Sequence, residues 1–309
     1  MDLIAAGVER RLDELHAAFA TARPFRHCVI DGFLAPEFAQ RLLDEFPAFE
    51  RGNHLNEEGR PGGKSTLEAI RALGDSYRAL DDLVQSPAFL AMVGRITGIP
   101  RLLYDPMYFG GGTHENRDGQ ELDVHIDFNY HPQTRWHRRL NLIVYLNHDW
   151  DPDWGGALEL HRDPYDPGRD EVVEVTPLFN RCVIFETTEH SWHGFRRIRL
   201  PPDRAGSSRK SVAFYFYTEA RPQDETAPTH STVYVDRGMP EHLAPGHVLT
   251  EADCEELRTL FARQAGHTRR LYREIERLQA LLDQGRLSRL AAAVRRRLAR
   301  RRARQPRAE

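Results

Sequence analysis

Two short stretches decide the fold and the site: Leu122-Asp123-Val124-His125-Ile126-Asp127 and Ser191-Trp192-His193-Gly194. Side chains two residues apart share one face of an extended strand, so His125 and Asp127 project together. His193 would arrive from a distant strand. Two imidazoles and one carboxylate form the 2-His-1-carboxylate set that holds Fe(II) on one face. A His-x-Asp tripeptide alone is weak evidence and more often marks a solvated strand end, so its surroundings must decide.

Short segments rich in β-forming residues alternate with turn residues between Pro100 and Thr218. The predicted strands are 101–109, 120–127, 138–146, 156–161, 171–175, 181–187, 192–198 and 209–217. About eight short strands at this spacing favour a sandwich or a jelly roll. The N-terminal part is mainly helical in pattern, and residues 48–65 are polar and Gly-rich, which predicts a long loop.

Two predicted strands, 139–147 and 209–217, each have an apolar face and a partly polar face. The apolar faces consist of Leu140, Leu142, Val144 and Leu146, and of Val212, Phe214 and Phe216. The other faces contain Asn141, Tyr145, Arg209, Ser211 and Tyr215. One interpretation is a sandwich whose polar face contacts water. The other is a jelly roll whose apolar face is covered by the N-terminal helices and whose polar face lines a cavity.

The order of these elements resembles the Fe(II)/2-oxoglutarate-dependent dioxygenases, in particular their prolyl 4-hydroxylase-like branch. The resemblance covers about residues 25–218. It rests on Tyr108-Phe109-Gly110, His125-Ile126-Asp127, Arg138 to Asn147, Trp154 to Leu160, Ser191 to Gly194 and Arg209-Lys210-Ser211. It implies an α+β fold with a mainly β core, namely a double-stranded β-helix (jelly roll) with N-terminal helices and a C-terminal helical extension.

The resemblance also implies the site. His125, Asp127 and His193 are the expected metal ligands and catalytic residues, and Arg209 is expected to bind the distal carboxylate of 2-oxoglutarate, because a guanidinium matches a carboxylate bidentately. Further contacts to 2-oxoglutarate, or positions that line its cavity, are expected from four residues. They are Tyr145, Ser211, Asn141 and Tyr108.

Two neighbours compete with these assignments. His190 lies three residues before His193, but the two face opposite ways on an extended strand, and the His-Gly pattern favours His193. Lys210 competes with Arg209 because the hairpin before them is longer than in many relatives. Arg209 is favoured, since Lys210 would share the apolar face of Val212.

The expected activity is an Fe(II)- and 2-oxoglutarate-dependent dioxygenase that hydroxylates an unactivated C–H bond of a protein or peptide residue (proline-like) or a small molecule. The expected cofactors and co-substrates are Fe(II), 2-oxoglutarate and O2, with ascorbate as reductant and succinate and CO2 as products. The alternative is a non-catalytic or non-oxidative, cupin-like metal-binding jelly roll. The substrate itself is not predicted by the sequence.

The composition bears on the possible partners and the location of the protein. The chain has 309 residues and a net charge of -3, yet ten arginines and one acid follow residue 285. This tail over 286–307 is either a solvated terminus or an arm for an anionic membrane surface or nucleic acid. The apolar positions over 271–282 could form a homodimer seam. Three distant cysteines and no signal-peptide pattern favour the cytoplasm, with a peripheral membrane location as the alternative.

The predicted regions are residues 1–98 as a helical and strand support, 99–220 as the catalytic core, 221–249 as a connector and 250–309 as C-terminal amphipathic helices with the basic tail.

Overall fold

The computed structural model describes residues 2–55, 61–235, 238–240 and 242–302. Its helices α1 to α6 are Ala6–Arg10, Leu12–Thr21, Pro36–Asp44, Asp75–Gln85, Pro87–Thr97 and Glu251–Arg302. Its strands β1 to β13 are His27–Ile30, Asn53–Leu55, Pro61–Leu67, Leu103–Tyr104, Gly112–Asn116, Leu122–Ile126, His137–Tyr145, Leu158–His161, Val172–Val175, Arg181–Glu186, Trp192–Phe195, Arg209–Thr218 and Val233–Tyr234. Backbone contacts divide the chain into two units, Met1–Val235 and Asp236–Glu309. The finer region boundaries stay a prediction.

The first unit contains two antiparallel sheets. The larger sheet has the strand order β1-β10-β7-β12-β5-β3-β2, with β4 paired to β12, and the smaller sheet has the order β13-β6-β11-β8-β9. Side chains of both sheets form one apolar cluster that includes Val183 and Phe185 from β10 and Leu158 and Leu160 from β8. The predicted jelly roll with supporting helices is therefore confirmed.

The outer face of the larger sheet is covered by helices. Leu140, Leu142 and Val144 of β7 and Phe214 of β12 belong to one buried cluster that also includes residues of α2, α3, α4 and α5. Residues on β7 and β12 alternate between this cluster and the interior between the sheets, as a period of two requires. Of the two interpretations left open by the sequence, the structure selects the covered apolar face and the enclosed polar face.

The region before residue 120 differs from the prediction. The sequence predicts a long loop over residues 48–65, but β2 and β3 pair with each other, and β3 pairs with β5. Strand β5 lies between the predicted strands 101–109 and 120–127, where the sequence predicts no strand. Glycine at positions 110 and 112 adopts positive φ, which lets the chain turn directly into β5. These short polar strands lack the β-branched pattern that predicts a strand.

The second unit consists mainly of α6. The sequence predicts more than one amphipathic helix over 250–309, whereas the structure has one helix, Glu251–Arg302, that continues through Gly285. An isolated glycine weakens a helix without ending it. Leu271, Ile275 and Leu278 of the predicted seam are exposed, and the homodimer stays a prediction. The basic tail continues past Arg302 into residues outside the described ones. Among the helices that the structure describes, none has the length and apolarity needed to cross a membrane.

Candidate active site

The three predicted metal ligands meet at one point between the sheets. His125 lies on β6 directly opposite His193 on β11, and Asp127 follows the end of β6. His125 Nε2 lies 3.8 Å from Asp127 Oδ1, and His193 Nε2 lies 3.5 Å from Asp127 Oδ2. One ligand atom from each residue falls within 4.8 Å of the others. Among the described residues, this is the one cluster of three or more such groups with metal-binding geometry.

Both imidazoles are oriented by the backbone. His125 Nδ1 lies 2.8 Å from the carbonyl oxygen of Asp123, and His193 Nδ1 lies 2.9 Å from that of Ser191. A carbonyl only accepts, so each Nδ1 carries the proton and donates it. The Nε2 lone pairs are therefore free and directed at the common point. This outer hydrogen bond is the usual way in which proteins fix a metal-binding histidine.

Gly194 explains why a glycine follows the distal histidine. A Cβ at this position would lie 2.7 Å from the carbonyl oxygen of Leu122 and 3.0 Å from the backbone nitrogen of Val124. Only glycine lets β11 approach β6 this closely. The close approach brings the His125 and His193 ring centroids to 4.3 Å.

Asp127 is held by two side chains from β7. Asn141 Nδ2 donates to Asp127 Oδ2 at 2.8 Å, and Arg138 Nη2 lies 3.0 Å from the same oxygen. The buried Arg138 guanidinium lies against the ring of Tyr215, with its Cζ 3.6 Å from the ring centroid. The resemblance implies that Asn141 lines the 2-oxoglutarate cavity; the structure instead places it on the carboxylate of a metal ligand.

Arg138 could not be singled out from the sequence, because strict alternation puts it on the apolar face with Leu140. In the structure the β7–β12 register shifts between Phe216 and Tyr217, so Arg138 pairs with Tyr217. This β-bulge turns Arg138 into the cavity. A register shift of one residue has no signal in a single sequence.

Arg209 is buried on the cavity face of β12. Its Nε donates to the carbonyl oxygen of Gly156 at 2.7 Å, and its Nη2 donates to the Tyr145 hydroxyl at 3.2 Å. Among the described residues, no carboxylate lies within ion-pair distance of this guanidinium. Ser211, two residues further along β12, is buried and pairs with Tyr145. Arg209, Tyr145 and Ser211 thus lie together on neighbouring strands of the larger sheet, and their contact with 2-oxoglutarate stays a prediction.

The structure also separates the competing residues. His190 is exposed, whereas His193 is buried in the cluster. Lys210 Nζ lies 3.4 Å from Glu115 Oε1, on the other side of β12 from Arg209. The geometry therefore favours His193 and Arg209 over their neighbours.

The expectation for Tyr108 needs correction. Its hydroxyl donates to Asp81 Oδ1 on α4 at 2.7 Å, and its ring packs against Phe214 in the helix-covered cluster. Tyr108 therefore lies on the opposite face of the larger sheet from Arg209. It follows the strand β4 but precedes a Gly-rich turn, and its positive φ redirects the chain there.

Electrostatics favour a neutral pair of imidazoles facing an ionised carboxylate. Burial, together with the neighbouring His193, lowers the pKa of His125 to about 3, and burial also lowers the pKa of His193. Burial acts to raise the pKa of Asp127, but Arg138 and the two histidines outweigh it and hold that pKa well below its usual range. These are the protonation states that bind a divalent cation.

The residues present fit both a metal and a dicarboxylate. Two neutral Nε2 atoms and one carboxylate suit Fe(II) and leave half of its coordination sphere open. The Arg209 guanidinium, for which the described residues provide no carboxylate partner, suits a second, distal carboxylate together with the Tyr145 hydroxyl. The jelly roll and this donor set define the class of cavity-bearing β proteins with a His-Asp-His metal centre.

The comparison with known families identifies the class further. Residues 111–217 match the sequence model of the 2OG-Fe(II) oxygenase superfamily. This match covers about a third of the chain and agrees with the resemblance seen in the sequence. The matched segment contains His125, Asp127, Tyr145, His193 and Arg209.

A curated relative is prolyl 3-hydroxylase OGFOD1 of Mus musculus, which is 26% identical over 196 residues. That match covers 63% of this chain but 33% of the relative, so the chain spans about a third of the relative's length. Similar solved structures include a prolyl hydroxylase from Trichoplax adhaerens in complex with a peptide fragment of the hypoxia inducible factor oxygen degradation domain. Its TM-score is 0.48 at 17% identity, with 69% of this chain and 91% of that chain covered.

Another similar structure is HygX from Streptomyces hygroscopicus with nickel and 2-oxoglutarate bound. Its TM-score is 0.45 at 16% identity, with 74% of this chain and 96% of that chain covered. Because both TM-scores are below 0.5, the assignment rests on the family match and on the site geometry.

Proposed function

We propose that this chain is an Fe(II)- and 2-oxoglutarate-dependent hydroxylase that acts on a prolyl residue of a peptide or protein, or on a proline-like small molecule. One observation carries the proposal. The same buried cavity contains three converging metal ligands and, beside them, a guanidinium that has no carboxylate partner among the described residues. A metal site alone would have no use for Arg209, whereas 2-oxoglutarate needs both.

The residues divide the work as follows. His125 and His193 through Nε2, and Asp127 through its carboxylate, would hold Fe(II). When bound together, Fe(II), 2-oxoglutarate and O2 supply the oxidising power that inserts oxygen into a C–H bond and releases succinate and CO2. Arg209 and Tyr145 would fix the distal carboxylate of 2-oxoglutarate.

Neighbouring side chains shield and orient these groups. Asn141 and Arg138 hold the Asp127 carboxylate, so its orientation is set before a metal binds. The rings of Phe185 and Tyr234 lie beside His193 and His125, at centroid distances of 4.8 and 5.2 Å. These aromatic rings exclude water from one side of the metal centre, which strengthens electrostatic interactions there.

The prolyl part of the proposal is supported by the curated relative, whose name describes prolyl 3-hydroxylation. Because the chain spans about a third of that relative, its substrate and position of hydroxylation carry over only as a proposal. We likewise propose ascorbate as the reductant. An association of the 286–307 tail with membranes or nucleic acid stays a prediction.

The first experiment tests metal and 2-oxoglutarate binding together. The protein is titrated anaerobically with Fe(II) and then with 2-oxoglutarate, and the metal-to-ligand charge-transfer band is followed in the visible range. We expect a band for the wild type and for His190→Ala, and none for Asp127→Ala. A wild type without a band, or an Asp127→Ala protein with an unchanged one, would refute the iron assignment.

The second experiment tests the substrate class. Succinate release above the substrate-free rate is measured against proline-containing peptides and free proline analogues, with and without ascorbate. Matched peptides that contain alanine in place of proline are the controls. Stimulation by proline and alanine peptides alike would contradict a prolyl substrate while leaving the enzyme class intact.

A further inference from the structure

Lys64 occupies the cavity side of the larger sheet. In the antiparallel ladder Thr66 pairs with His114, and His114 pairs with Ser211 on the face that also carries Arg209. Lys64 is two residues from Thr66 and therefore shares this face. Continuing the β3–β5 register by one residue beyond Ser65 sets Lys64 opposite Asn116, which pairs with Arg209.

The distance follows from the strand order. Two strand spacings separate β3 from β12, so the Lys64 and Arg209 backbones are roughly 10 Å apart. A lysine side chain can cover much of that span. Lys64 is partly buried and lies close enough to Asp127, Arg138 and Arg209 to interact with their charges. Lys64 therefore lies on the same face of the larger sheet as Arg209, within the range of the charges of the site.

The lysine is also an unusual choice for this chain. Of the 43 basic residues in the sequence, only Lys64 and Lys210 are lysines, and the others are arginines. Lys210 has an acidic partner in Glu115, at 3.4 Å. No acidic residue within ion-pair distance of Lys64 is present among the described residues. A flexible ammonium group at this position can follow a ligand group of variable position, which a planar guanidinium does less readily.

The charges in the cavity do not balance. Lys64, Arg138 and Arg209 are cations, and the acidic groups that act on Lys64 are Asp127 and Glu68. Glu68 is exposed and accepts the backbone N–H of Gly110 at 2.8 Å. Bound Fe(II) and the 2-oxoglutarate dianion would cancel each other. Counting Glu68, the described residues therefore leave one positive charge without a counter-charge. Burial lowers the pKa of Lys64.

We propose that the substrate of this enzyme carries an anionic group, a carboxylate or a phosphate, which pairs with Lys64 on the β3 side of the cavity. This inference rests on the proposed function and narrows it: the hydroxylated carbon belongs to an acidic molecule, or to a peptide segment with an acidic group close to that carbon. Lys64 thus determines specificity and takes no part in binding the metal or 2-oxoglutarate.

The two lysines make a direct test possible. The 309-residue chain is labelled with ¹³Cε-lysine and loaded with Zn(II), which replaces Fe(II) without redox chemistry, and with 2-oxoglutarate. Its two lysine resonances are assigned with Lys210→Met. The probes are sodium acetate and inorganic phosphate at constant ionic strength, with neutral acetamide as the matched control. Zinc uptake is measured separately by equilibrium dialysis.

We expect the Lys64 resonance to shift saturably with acetate, phosphate or both, while acetamide and the Lys210 resonance show no such change. A response to one probe alone distinguishes a carboxylate from a phosphate substrate. Lys64→Arg should retain anion binding, measured by calorimetry, and Lys64→Met should weaken it at least tenfold. The intact Lys210 resonance in both variants shows that they are folded.

Two results would overturn the inference. Absence of a saturable shift with either anion would show that Lys64 selects no anionic group. If 2-oxoglutarate alone already produces the full shift of the Lys64 resonance, Lys64 binds the co-substrate and not the substrate. A protein that takes up no zinc would instead contradict the proposed function, so the two failures are distinguishable.

Discussion

Replacing Arg209 with methionine should affect stability and co-substrate binding in different ways. Arg209 is buried, donates to Gly156 and Tyr145, and has no carboxylate partner among the described residues. Burial lowers its pKa, which means that keeping it charged costs the folded protein free energy. Methionine has a similar length and adapts to the same space without a charge.

The magnitudes follow from these contacts. Losing two hydrogen bonds costs about 1–3 kcal/mol, and removing an uncompensated buried charge offsets a comparable amount. The free energy of unfolding without ligands should therefore stay within about 1 kcal/mol of the wild type. A distal carboxylate left without its guanidinium costs about 3 kcal/mol, which corresponds to a Kd increase on the order of 100-fold.

The assay measures the Kd of two ligands for the Fe(II)-loaded protein under anaerobic conditions. 2-Oxoglutarate is measured against 2-oxopentanoate, which has a methyl group where 2-oxoglutarate has its distal carboxylate. The wild type and Lys210→Met should prefer 2-oxoglutarate by about 100-fold, and Arg209→Met should bind both ligands equally weakly. If Arg209→Met still prefers 2-oxoglutarate by about 100-fold, Arg209 does not recognise the distal carboxylate. The same conclusion follows if the affinities for the two ligands fall by the same factor, because the preference is then unchanged.

Three further predictions concern the ligands and the core. His193→Gln should weaken zinc binding by at least about 100-fold and His190→Gln should leave it unchanged, as measured by competition with a chelating dye; equal effects would contradict the assignment of His193. Leu142→Ala should lower the free energy of unfolding by about 3 kcal/mol in urea titrations, since Leu142 is fully buried on the face of β7 that the helices cover. A loss below about 1 kcal/mol would indicate looser packing. Burial and His193 lower the pKa of His125 to about 3. Below about pH 6.5 the unfolded chain therefore binds a proton at His125, whereas the folded, metal-free protein binds it only near pH 3. Its free energy of unfolding should therefore fall as the pH falls from about 6.5 towards 3, by up to about 1.4 kcal/mol per pH unit for this group, and a flat profile would show that His125 protonates while folded.

The sequence predicts those parts of the fold that depend on alternation. The apolar faces of β7 and β12 have a strict period of two, which distinguishes the covered face from the cavity face by residue type alone. His125 and Asp127 could be placed together for the same reason, since they are two residues apart. Pairing them with His193 required the ordered resemblance, because a single sequence does not show which distant strands are neighbours.

The prediction failed where alternation breaks down or where strands are short and polar. Arg138 reaches Asp127 only because of the register shift opposite Phe216 and Tyr217. Tyr108 has a positive φ that turns its side chain to the helix-covered side, and its tyrosine identity does not reveal this. In both cases, local backbone geometry decided which face a side chain occupies.

The strands β3 and β5 are polar and lack regular alternation, so the sequence did not predict them. They also separate two parts of the active site. The residues proposed to bind iron and 2-oxoglutarate lie on or directly after β6, β7, β11 and β12. Lys64 lies on the polar strand β3, which pairs with β5 and β2 outside that set of strands. Because such an edge can change without disturbing the metal centre, it is where a substrate-specific charge is expected. We therefore expect the charge of Lys64 to affect which substrate is bound and not the binding of the metal or of 2-oxoglutarate.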